Sequence, residues 1–320
     1  FVIFQMMFAI ITPALITGSS ADRLKFASFV AFIVLWSIVV YAPVAHWVFS
    51  PTGWLAKRGA EDFAGGTVVH INAAMAGAAL ALVLGRRKGW PKLPMRPHNV
   101  PFTVLGAGIL WFGWFGFNAG SALAANELSA HAFVNTNTAT AAALLAWIAV
   151  EKLKNGKSTT LGAASGAVAG LVAITPACGF VNLAGATVVG IAAGALCSLA
   201  VNIKFKIKLD DSLDVIGVHF VGGVTGALLI GFFGTSAIGG RNGVFYGGGW
   251  GLLGEQALAV IAVTVFSFVV SCLLALLVRA VMGLRVSEED ELEGLDISQH
   301  EESAYDFDLA LANAYTRSEA

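Results

Sequence analysis

The feature that most constrains this chain is a series of long apolar stretches separated by short polar loops. Each stretch can cross about 30 Å of hydrocarbon as an α-helix. The mean hydropathy is +0.77 and only 12% of the 320 residues are charged, against about 25% in a soluble domain. We therefore predict an all-α polytopic membrane protein with nine spans, at about 1–19, 26–49, 63–85, 101–121, 131–151, 159–175, 184–203, 215–234 and 255–282. The stretch 159–175 is short and rich in Gly and Ala, so a re-entrant segment is the alternative there.

The basic residues indicate the orientation of the spans. Sixteen of the 19 Lys and Arg residues fall in loops on one side of the predicted membrane, and only Lys57, Arg58 and Arg241 fall on the other. Cytoplasmic loops carry the excess of Lys and Arg. We therefore expect a multi-pass protein of the plasma membrane, with residue 1 outside and the C-terminal tail in the cytoplasm.

Several classes of function are excluded by composition and spacing. The formal net charge of −1 argues against a basic nucleic-acid-binding protein. The three cysteines, Cys178, Cys197 and Cys272, lie far apart, without the spacing of a zinc site or a disulfide scaffold. No Ser or Cys stands at a strand–helix elbow as in a hydrolase. We expect no enzyme activity, no metal and no cofactor.

An internal repeat relates two of the spans. The motif V-H-x6-G-A-x6-G begins at Val69–His70 and again at Val218–His219, 149 residues later. The copies lie five spans apart, which is an odd number, so they cross the membrane in opposite directions. This is typical of an inverted-topology repeat, whose functional site lies at the repeat interface near the midplane. A five-helix repeat plus a final helix gives eleven helices, so we expect nine of eleven here, with two before residue 1.

The repeat also predicts how the chain is divided. We expect a transmembrane transport domain over residues 1–284. It would contain a partial first repeat at about 1–90, a second repeat at about 100–235 and the last helix at about 255–282. Residues 287–320 hold 11 of the 20 acidic residues and no apolar span. We therefore predict that 285–320 form an acidic cytoplasmic tail.

Two of the six histidines, His70 and His219, lie well inside spans. Ionisable residues inside a membrane are costly and are candidates for function. A neutral imidazole donates a hydrogen bond at one nitrogen and accepts at the other, so two can bond to each other and leave a nitrogen each facing a cavity. Such a pair can accept and pass a proton. The alternative is that each histidine bonds a backbone carbonyl in a packed bundle.

Acidic residues precede both histidines. Asp62 lies eight residues before His70, and Asp214 lies five before His219. Both are interpreted as acids at helix N-termini, stabilised by the first-turn N–H groups and the helix dipole. Asp62 falls on the outer side, where it can also attract cations to a vestibule.

Aromatic residues form a third group of candidates. Phe4 and Phe8 are four residues apart and share one helix face near the outer side. The run 111–121 contains Trp114 and Phe117 and ends at the outer side of the fourth span. Aromatic faces attract cations by about 0.5–2 kcal/mol, so this cluster can hold a small cation while it loses water. The alternative is an ordinary interfacial aromatic belt.

Long motifs in this sequence resemble those of the ammonium transporters of the Amt/Mep/Rh superfamily, in the Amt branch. The resemblance covers nearly the whole chain. The motifs are D-F-A-G-G-T-V-V-H-I-N-A-A (62–74), W-F-G-F-N-A-G-S (114–121), A-F-V-N-T (132–136), T-P-A-C-G (175–179), D-V-I-G-V-H (214–219) and G-L-R-V-x-x-E (283–289). The resemblance implies the ammonium transporter fold and a homotrimer in which each protomer has its own pore.

The resemblance also implies roles for individual residues. By motif position, Phe8 and Phe117 are the two stacked gate phenylalanines, and Phe4 and Ser121 belong to an external recruitment site for ammonium. Asp62 supports that site. The pore is implied to be lined by His70 and His219, the twin histidines, and by Trp114. The family usually has Trp in the loop after A-H-x-V, whereas here Phe49 follows Ala45–Val48, so the cation face is weaker unless Trp47 or Trp54 compensates.

The function implied is ammonium uptake, in which ammonium loses a proton near the gate and ammonia passes the histidines. The proton is returned outside or relayed by the pair. Expected partners are ammonium, membrane lipid, a second and third copy of this chain, and a PII-type signalling protein at the cytoplasmic face. Two alternatives remain at this point: an ammonium sensor with little conduction, or a channel for a neutral gas or solute.

Overall fold

The computed structural model describes residues 1–93 and 95–303. Within them, eight helical segments are long and apolar enough to cross a membrane, and one further apolar helix is shorter. The β pairing of this part of the chain is limited to two isolated bridges. The prediction of an all-α membrane protein is therefore confirmed. The α-helices are α1 (Val2–Ser20), α2 (Phe26–Trp36), α3 (Ala42–Phe49), α4 (Trp54–Arg58), α5 (Asn72–Leu84), α6 (Val100–Gly120), α7 (Glu127–Asn155), α8 (Thr160–Ile174), α9 (Leu183–Ala200), α10 (Ile203–Ile207), α11 (Val221–Phe233), α12 (Gly251–Met282), α13 (Glu288–Glu293) and α14 (Leu295–His300).

Three π-helical segments and one short 3-10 helix complete the described helices. The π segment Ser37–Tyr41 joins α2 to α3 in one continuous helix. The π segments Gly66–Ile71 and Ile216–Phe220 lead directly into α5 and α11, and the 3-10 turn is Val244–Tyr246. A π turn widens the helix locally and is frequent at functional sites. The segments before α5 and α11 contain His70 and His219.

The short helix α8 and the turns after it together run the length of the bundle, so this segment is not re-entrant. Before it, the Thr159 backbone N–H donates to a Glu151 carboxylate oxygen at 2.9 Å. Beyond it, the Val181 carbonyl lies 2.9 Å from Nε2 of His131. Glu151 and His131 stand 20 residues apart on α7, which is about 30 Å along a helix. The turns that follow α8 therefore complete the crossing, as predicted for nine spans.

Four of the five segments predicted to share the basic side meet at one end of the bundle, which we call the basic end. Nε of Arg23 donates to the Gly85 carbonyl at 2.9 Å, and the guanidinium of Arg87 bonds the Asp210 carboxylate at 2.7 Å. The Val286 N–H donates to the Arg23 carbonyl. The α1–α2, α5–α6 and α10–α11 loops and the segment after α12 thus meet at this end.

The intervening loops meet at the other end, which we call the outer end after the orientation that the charge pattern predicts. The Phe63 N–H donates to the Pro176 carbonyl, and the Thr235 N–H donates to the Phe180 carbonyl. A carboxylate oxygen of Glu61 accepts from the Arg241 N–H at 2.6 Å. The loops therefore alternate between the ends as the charge pattern predicted.

Glycine sets the close approach of the helices that carry the repeat. A Cβ on Gly226 of α11 would lie 1.8 Å from the Ala173 carbonyl oxygen of α8. A Cβ on Gly77 of α5 would lie 2.5 Å from the Ser19 hydroxyl of α1. Only a residue without a side chain fits either contact, because real Cβ atoms essentially never approach other heavy atoms below 3.0 Å. This explains why the repeated motif keeps glycine there.

The described part of the tail packs on the basic end. Both oxygens of the Glu291 carboxylate are used, since one accepts from the Lys88 N–H and the other from the Arg285 guanidinium. The remaining tail residues, 304–320, lie outside the described residues. The boundary at 284 and the two helices expected before residue 1 stay predictions.

Candidate functional site

The two histidines meet between the halves of the repeat. Nδ1 of His70 lies 3.2 Å from Nδ1 of His219, and the ring centroids are 5.3 Å apart at 24°. His70 is 1% exposed, and its Nε2 is buried without a hydrogen-bond partner. In such a bond one ring donates at Nδ1 and the other accepts, so one Nε2 is left as an acceptor and the other as a donor.

Asp62 holds the N-terminus of the His70 helix. One carboxylate oxygen accepts from the Gly65 and Gly66 N–H groups, at 2.8 and 2.6 Å. The other accepts from the N–H and hydroxyl of Thr67 and from the Val68 N–H. These are the N–H groups that a helix start leaves unsatisfied. The carboxylate is therefore directed at the helix start, as the sequence indicated for an N-terminal acid.

The acid that holds the His219 helix is Asp211, and the interpretation of Asp214 as that acid is wrong. One carboxylate oxygen of Asp211 accepts from the Ile216 N–H at 2.7 Å, and the other accepts from the Ser19 hydroxyl at 2.8 Å. Asp214 instead forms an ion pair with Lys204 at 2.6 Å. Asp211 stands 149 residues after Asp62, the same offset as between the histidines, so the repeat itself contained the signal.

A cavity of about 370 Å³ adjoins the histidine pair. Both histidines line it, together with Phe117, Trp114 and aliphatic side chains such as that of Ile109. The Trp114 ring stacks on His70 at 5.4 Å and 20°. Its N–H is directed away from the cavity, since it donates to the Thr175 hydroxyl at 2.8 Å. The histidine nitrogens are thus the principal polar groups that the cavity offers.

Phe8 is the centre of an aromatic cluster next to this cavity. It is 3% exposed and lies 4.8 Å from Phe117, with the rings at 35°. Phe4 and Phe49 meet it edge-on, at 5.0 and 5.7 Å. Phe117 also stacks on His70 at 6.2 Å. The structure therefore brings together the four phenylalanines that the sequence singled out, and connects them to the histidines.

Ser121 lies beside this cluster. Its hydroxyl donates to the Phe117 carbonyl at 2.9 Å. A Cβ on the preceding Gly120 would lie 3.1 Å from the Phe4 ring, so α6 ends against that ring. The loop that Asp62 orders reaches the cluster, since a Cβ on Gly65 would lie 3.5 Å from the Phe49 ring.

The two tryptophans considered as substitutes near Phe49 form a separate contact. Trp47 packs on Phe266 at 4.6 Å and on Trp54 at 5.9 Å. Phe49 is the residue of this segment whose ring reaches Phe8. Phe49, and not Trp47 or Trp54, is therefore the aromatic residue of this segment that contacts Phe8.

Sequence reasoning missed three buried polar residues that hold these elements. Arg23 is 0% exposed, Asp211 and Gln256 are 1% exposed, and each bonds a segment that carries one of the histidines. A buried polar residue in the sequence does not reveal its partners, and only Asp211 was detectable from the repeat. The described residues contain no group of three or more His, Cys, Asp or Glu side chains that could hold a metal ion.

Comparisons with known proteins agree on one family. Residues 1–305 match the profile of the Ammonium Transporter Family. An ammonium transporter of Mycobacterium tuberculosis is 54% identical over 97% of this chain and 68% of its own length. Ammonium transporter Amt1 of Archaeoglobus fulgidus is 48% identical over 95% of this chain and 77% of its own.

Solved structures show the same relationship. The crystal structure of Saccharomyces cerevisiae Mep2 matches with a TM-score of 0.82 and 38% identity, over 89% of this chain and 68% of that one. A structure described as a sensor Amt protein matches with a TM-score of 0.85 and 33% identity, over 92% of this chain and 75% of that one.

Proposed function

Because this chain belongs to the ammonium transporter family, we propose that it carries ammonium into the cell, by conducting ammonia past His70 and His219. The observation that carries the proposal is the histidine pair, 3.2 Å apart, in an otherwise mostly apolar cavity next to the packed rings of Phe8 and Phe117. An apolar cavity favours a neutral passenger, and paired imidazoles offer it hydrogen bonds.

The cost of burying charge decides which species passes. Moving an unpaired ion out of water still costs several kcal/mol after relaxation. Ammonium avoids this cost when it releases a proton and crosses as ammonia. Potassium has no proton to release, so it has to remain charged and is excluded.

Recruitment takes place at the outer end. Ammonium is attracted by the faces of Phe4, Phe8, Phe49 and Phe117, and the Ser121 hydroxyl replaces one of its water contacts. Each aromatic contact contributes about 0.5–2 kcal/mol, which is too little to carry the ion inward. The ion therefore loses its proton at the gate, Phe8 and Phe117. Asp62 supports this site through the loop that it orders.

The proton follows one of two routes. If it returns outside, transport is electroneutral. If the histidine pair relays it, transport is electrogenic, because one charge crosses with each ammonia. The direct Nδ1–Nδ1 bond is compatible with a relay, since each ring can accept on one nitrogen and donate from the other.

Assembly and regulation follow the family expectation. We propose a homotrimer of pores in the plasma membrane, with the basic end and the tail in the cytoplasm. Residues 285–303, which bond the basic end, are then on the side that a PII-type protein can reach.

A sensor that binds ammonium with little conduction is the second candidate, because one of the matching structures is described as a sensor Amt protein. Both candidates use the same recruitment site. They differ in whether ammonia leaves on the inner side.

The test is an ammonium pulse applied to vesicles that contain the protein, with internal pH and current recorded together. Transport predicts a saturable response to ammonium and none to potassium. The double variant His70→Ala, His219→Ala is expected to lose the response or admit potassium, whereas His46→Ala, an exposed histidine outside the cavity, serves as the control. Saturable binding without any change in pH or current would favour the sensor. An unaltered double variant would refute the role of the histidines.

A further inference from the structure

The two helices that carry His70 and His219 are linked to each other at each end by one buried polar side chain. The helix that carries His70 runs from Gly66 to Leu84, and the helix that carries His219 runs from Ile216 to Phe233. The two run in opposite directions, so the end of one lies beside the start of the other. A cross-link at both ends fixes how far one helix can slide along the other.

Arg23 forms the cross-link at the basic end. Its Nε donates to the carbonyl of Gly85, directly after the His70 helix, at 2.9 Å. Its other nitrogens donate to the Asp210 carbonyl at 2.6 Å and the Ser212 hydroxyl at 2.9 Å, both in the loop that precedes the His219 helix. Two more bonds go to the Ser19 and Ala21 carbonyls, at 3.1 and 3.2 Å. The guanidinium is 0% exposed and uses all three nitrogens.

Gln256 on α12 forms the cross-link at the outer end. Its side-chain oxygen accepts from the Glu61 N–H at 2.7 Å, and its nitrogen donates to the Glu61 carbonyl at 2.8 Å. The same nitrogen donates to the Ala227 carbonyl within the His219 helix at 3.0 Å. Glu61 directly precedes Asp62, which orders the start of the His70 helix. A helix outside the repeated motif thus ties the two histidine helices together.

We propose that Arg23 and Gln256 are positioning residues that fix the axial register of the two histidine helices. The inference rests on the proposed function, because register matters for transport only if the histidine pair is used. The Nδ1–Nδ1 distance is 3.2 Å, and a contact of about 3.6 Å is no longer a hydrogen bond. A change of a few tenths of an ångström along that line is enough to break the pair.

Stability alone does not account for these side chains. Replacing a buried polar network by apolar groups of the same shape is often neutral or stabilising. Such a network instead contributes a defined geometry when each member is satisfied. Thr264, also on α12, shows the contrast, since its buried hydroxyl has no hydrogen-bond partner. It provides a matched control on the same helix.

The experiment compares Gln256→Met with Thr264→Val, and Arg23→Lys with Arg279→Lys, a variant at an exposed arginine in the last turn of α12. Methionine matches the length of glutamine but forms none of its three bonds. Lysine keeps the charge of Arg23, but its single nitrogen cannot reach Gly85, Asp210 and Ser212 together. Helix content and melting temperature are measured first, and Arg23→Lys is the milder variant if Gln256→Met does not fold.

The readout is the nitrogen magnetic resonance of labelled histidines in vesicles, with His70→Ala used to assign the pair. We expect the hydrogen-bonded Nδ1 signals to be lost or split in Gln256→Met and Arg23→Lys, and to be unchanged in both controls. Ammonium uptake is expected to fall about tenfold to 100-fold, since a displacement near 1 Å costs about that much in a positioned site.

The outcomes separate the two proposals. Folded variants with an unaltered histidine spectrum would overturn the positioning role, whatever their uptake. Altered signals in the controls as well would also overturn it, because general loosening would then explain the change. If the unmodified chain carries no ammonium, the proposed function fails, while the spectra still test the register.

Discussion

Replacing Gly226 by alanine tests whether the close approach of α11 and α8 positions the site. Gly226 lies on α11, seven residues after His219. The added Cβ would meet the Ala173 carbonyl oxygen of α8 at 1.8 Å, and that oxygen belongs to a helix backbone that cannot rotate away. The helices therefore have to separate.

The size of the effect follows from this distance. Tolerated contacts begin near 3.0 Å, so α11 has to move by more than 1 Å or tilt. Overpacking of a filled core costs about 1–3 kcal/mol. The higher helix propensity of alanine offsets at most about 1 kcal/mol of this cost, so we expect a net loss of up to about 2 kcal/mol. A displacement near 1 Å is also sufficient to break the Nδ1–Nδ1 bond of the histidine pair.

The assay is the midpoint of thermal unfolding together with ammonium uptake in vesicles. The control is Gly116→Ala on α6, where an added Cβ would meet nothing within 4 Å. We expect Gly226→Ala to lower both midpoint and uptake, and Gly116→Ala to leave both unchanged or to raise the midpoint. Equal midpoints for the two variants would refute the packing argument.

Three further predictions use other parts of the site. Burial raises the pKa of Glu61 to about 7, against the opposing effects of the Arg241 N–H and charge. Folding therefore becomes less favourable as pH rises from about 4.5 to 7, because the buried carboxyl resists ionisation. Glu61→Gln should have the same melting temperature as the unmodified protein at pH 5 and a higher one at pH 8. Equal melting temperatures of the two proteins at both pH values would contradict this. Phe49→Trp should lower the half-saturating ammonium concentration about twofold to fivefold, since Trp has the strongest cation face; an unchanged or higher value would contradict it. Asp211→Ala should lower the free energy of unfolding by about 1–3 kcal/mol, because it leaves the Ile216 N–H and the Ser19 hydroxyl unpaired. Asp214→Ala should cost less, because its ion pair with Lys204 is partly exposed. Chemical denaturation measures both, and an equal cost would contradict this.

Much of the fold was predictable because lipid imposes simple rules on sequence. The nine spans and the alternation of the loops follow from hydropathy and charge, and the motif around His70 and His219 predicted two antiparallel helices. The helix boundaries shifted by a few residues, as for α7, which begins at Glu127 and not at about 131. Polar helix ends extend beyond the apolar stretch, so hydropathy does not detect them.

The contacts within the site were less predictable. A pattern places Phe4 and Phe8 on one face, and the family resemblance pairs Phe8 with Phe117, but only the structure shows that the ring of Phe49 contacts Phe8. The identification of Asp214 as the capping acid failed because proximity to the histidine was used where the 149-residue offset identifies Asp211. The partners of Arg23 and Gln256 lie far away in the chain, so no local pattern contains them.

The most direct test of the central claim is to fill the cavity from α6. Gly113 lines the cavity, whereas Gly116, one turn further along, does not. Gly113→Phe and Gly116→Phe therefore add the same side chain to the same helix, inside and outside the proposed path. Ammonium uptake into vesicles is measured for both. The account predicts that Gly113→Phe abolishes uptake and that Gly116→Phe retains it. Undiminished uptake by a folded Gly113→Phe would mean that ammonia does not pass beside the histidines.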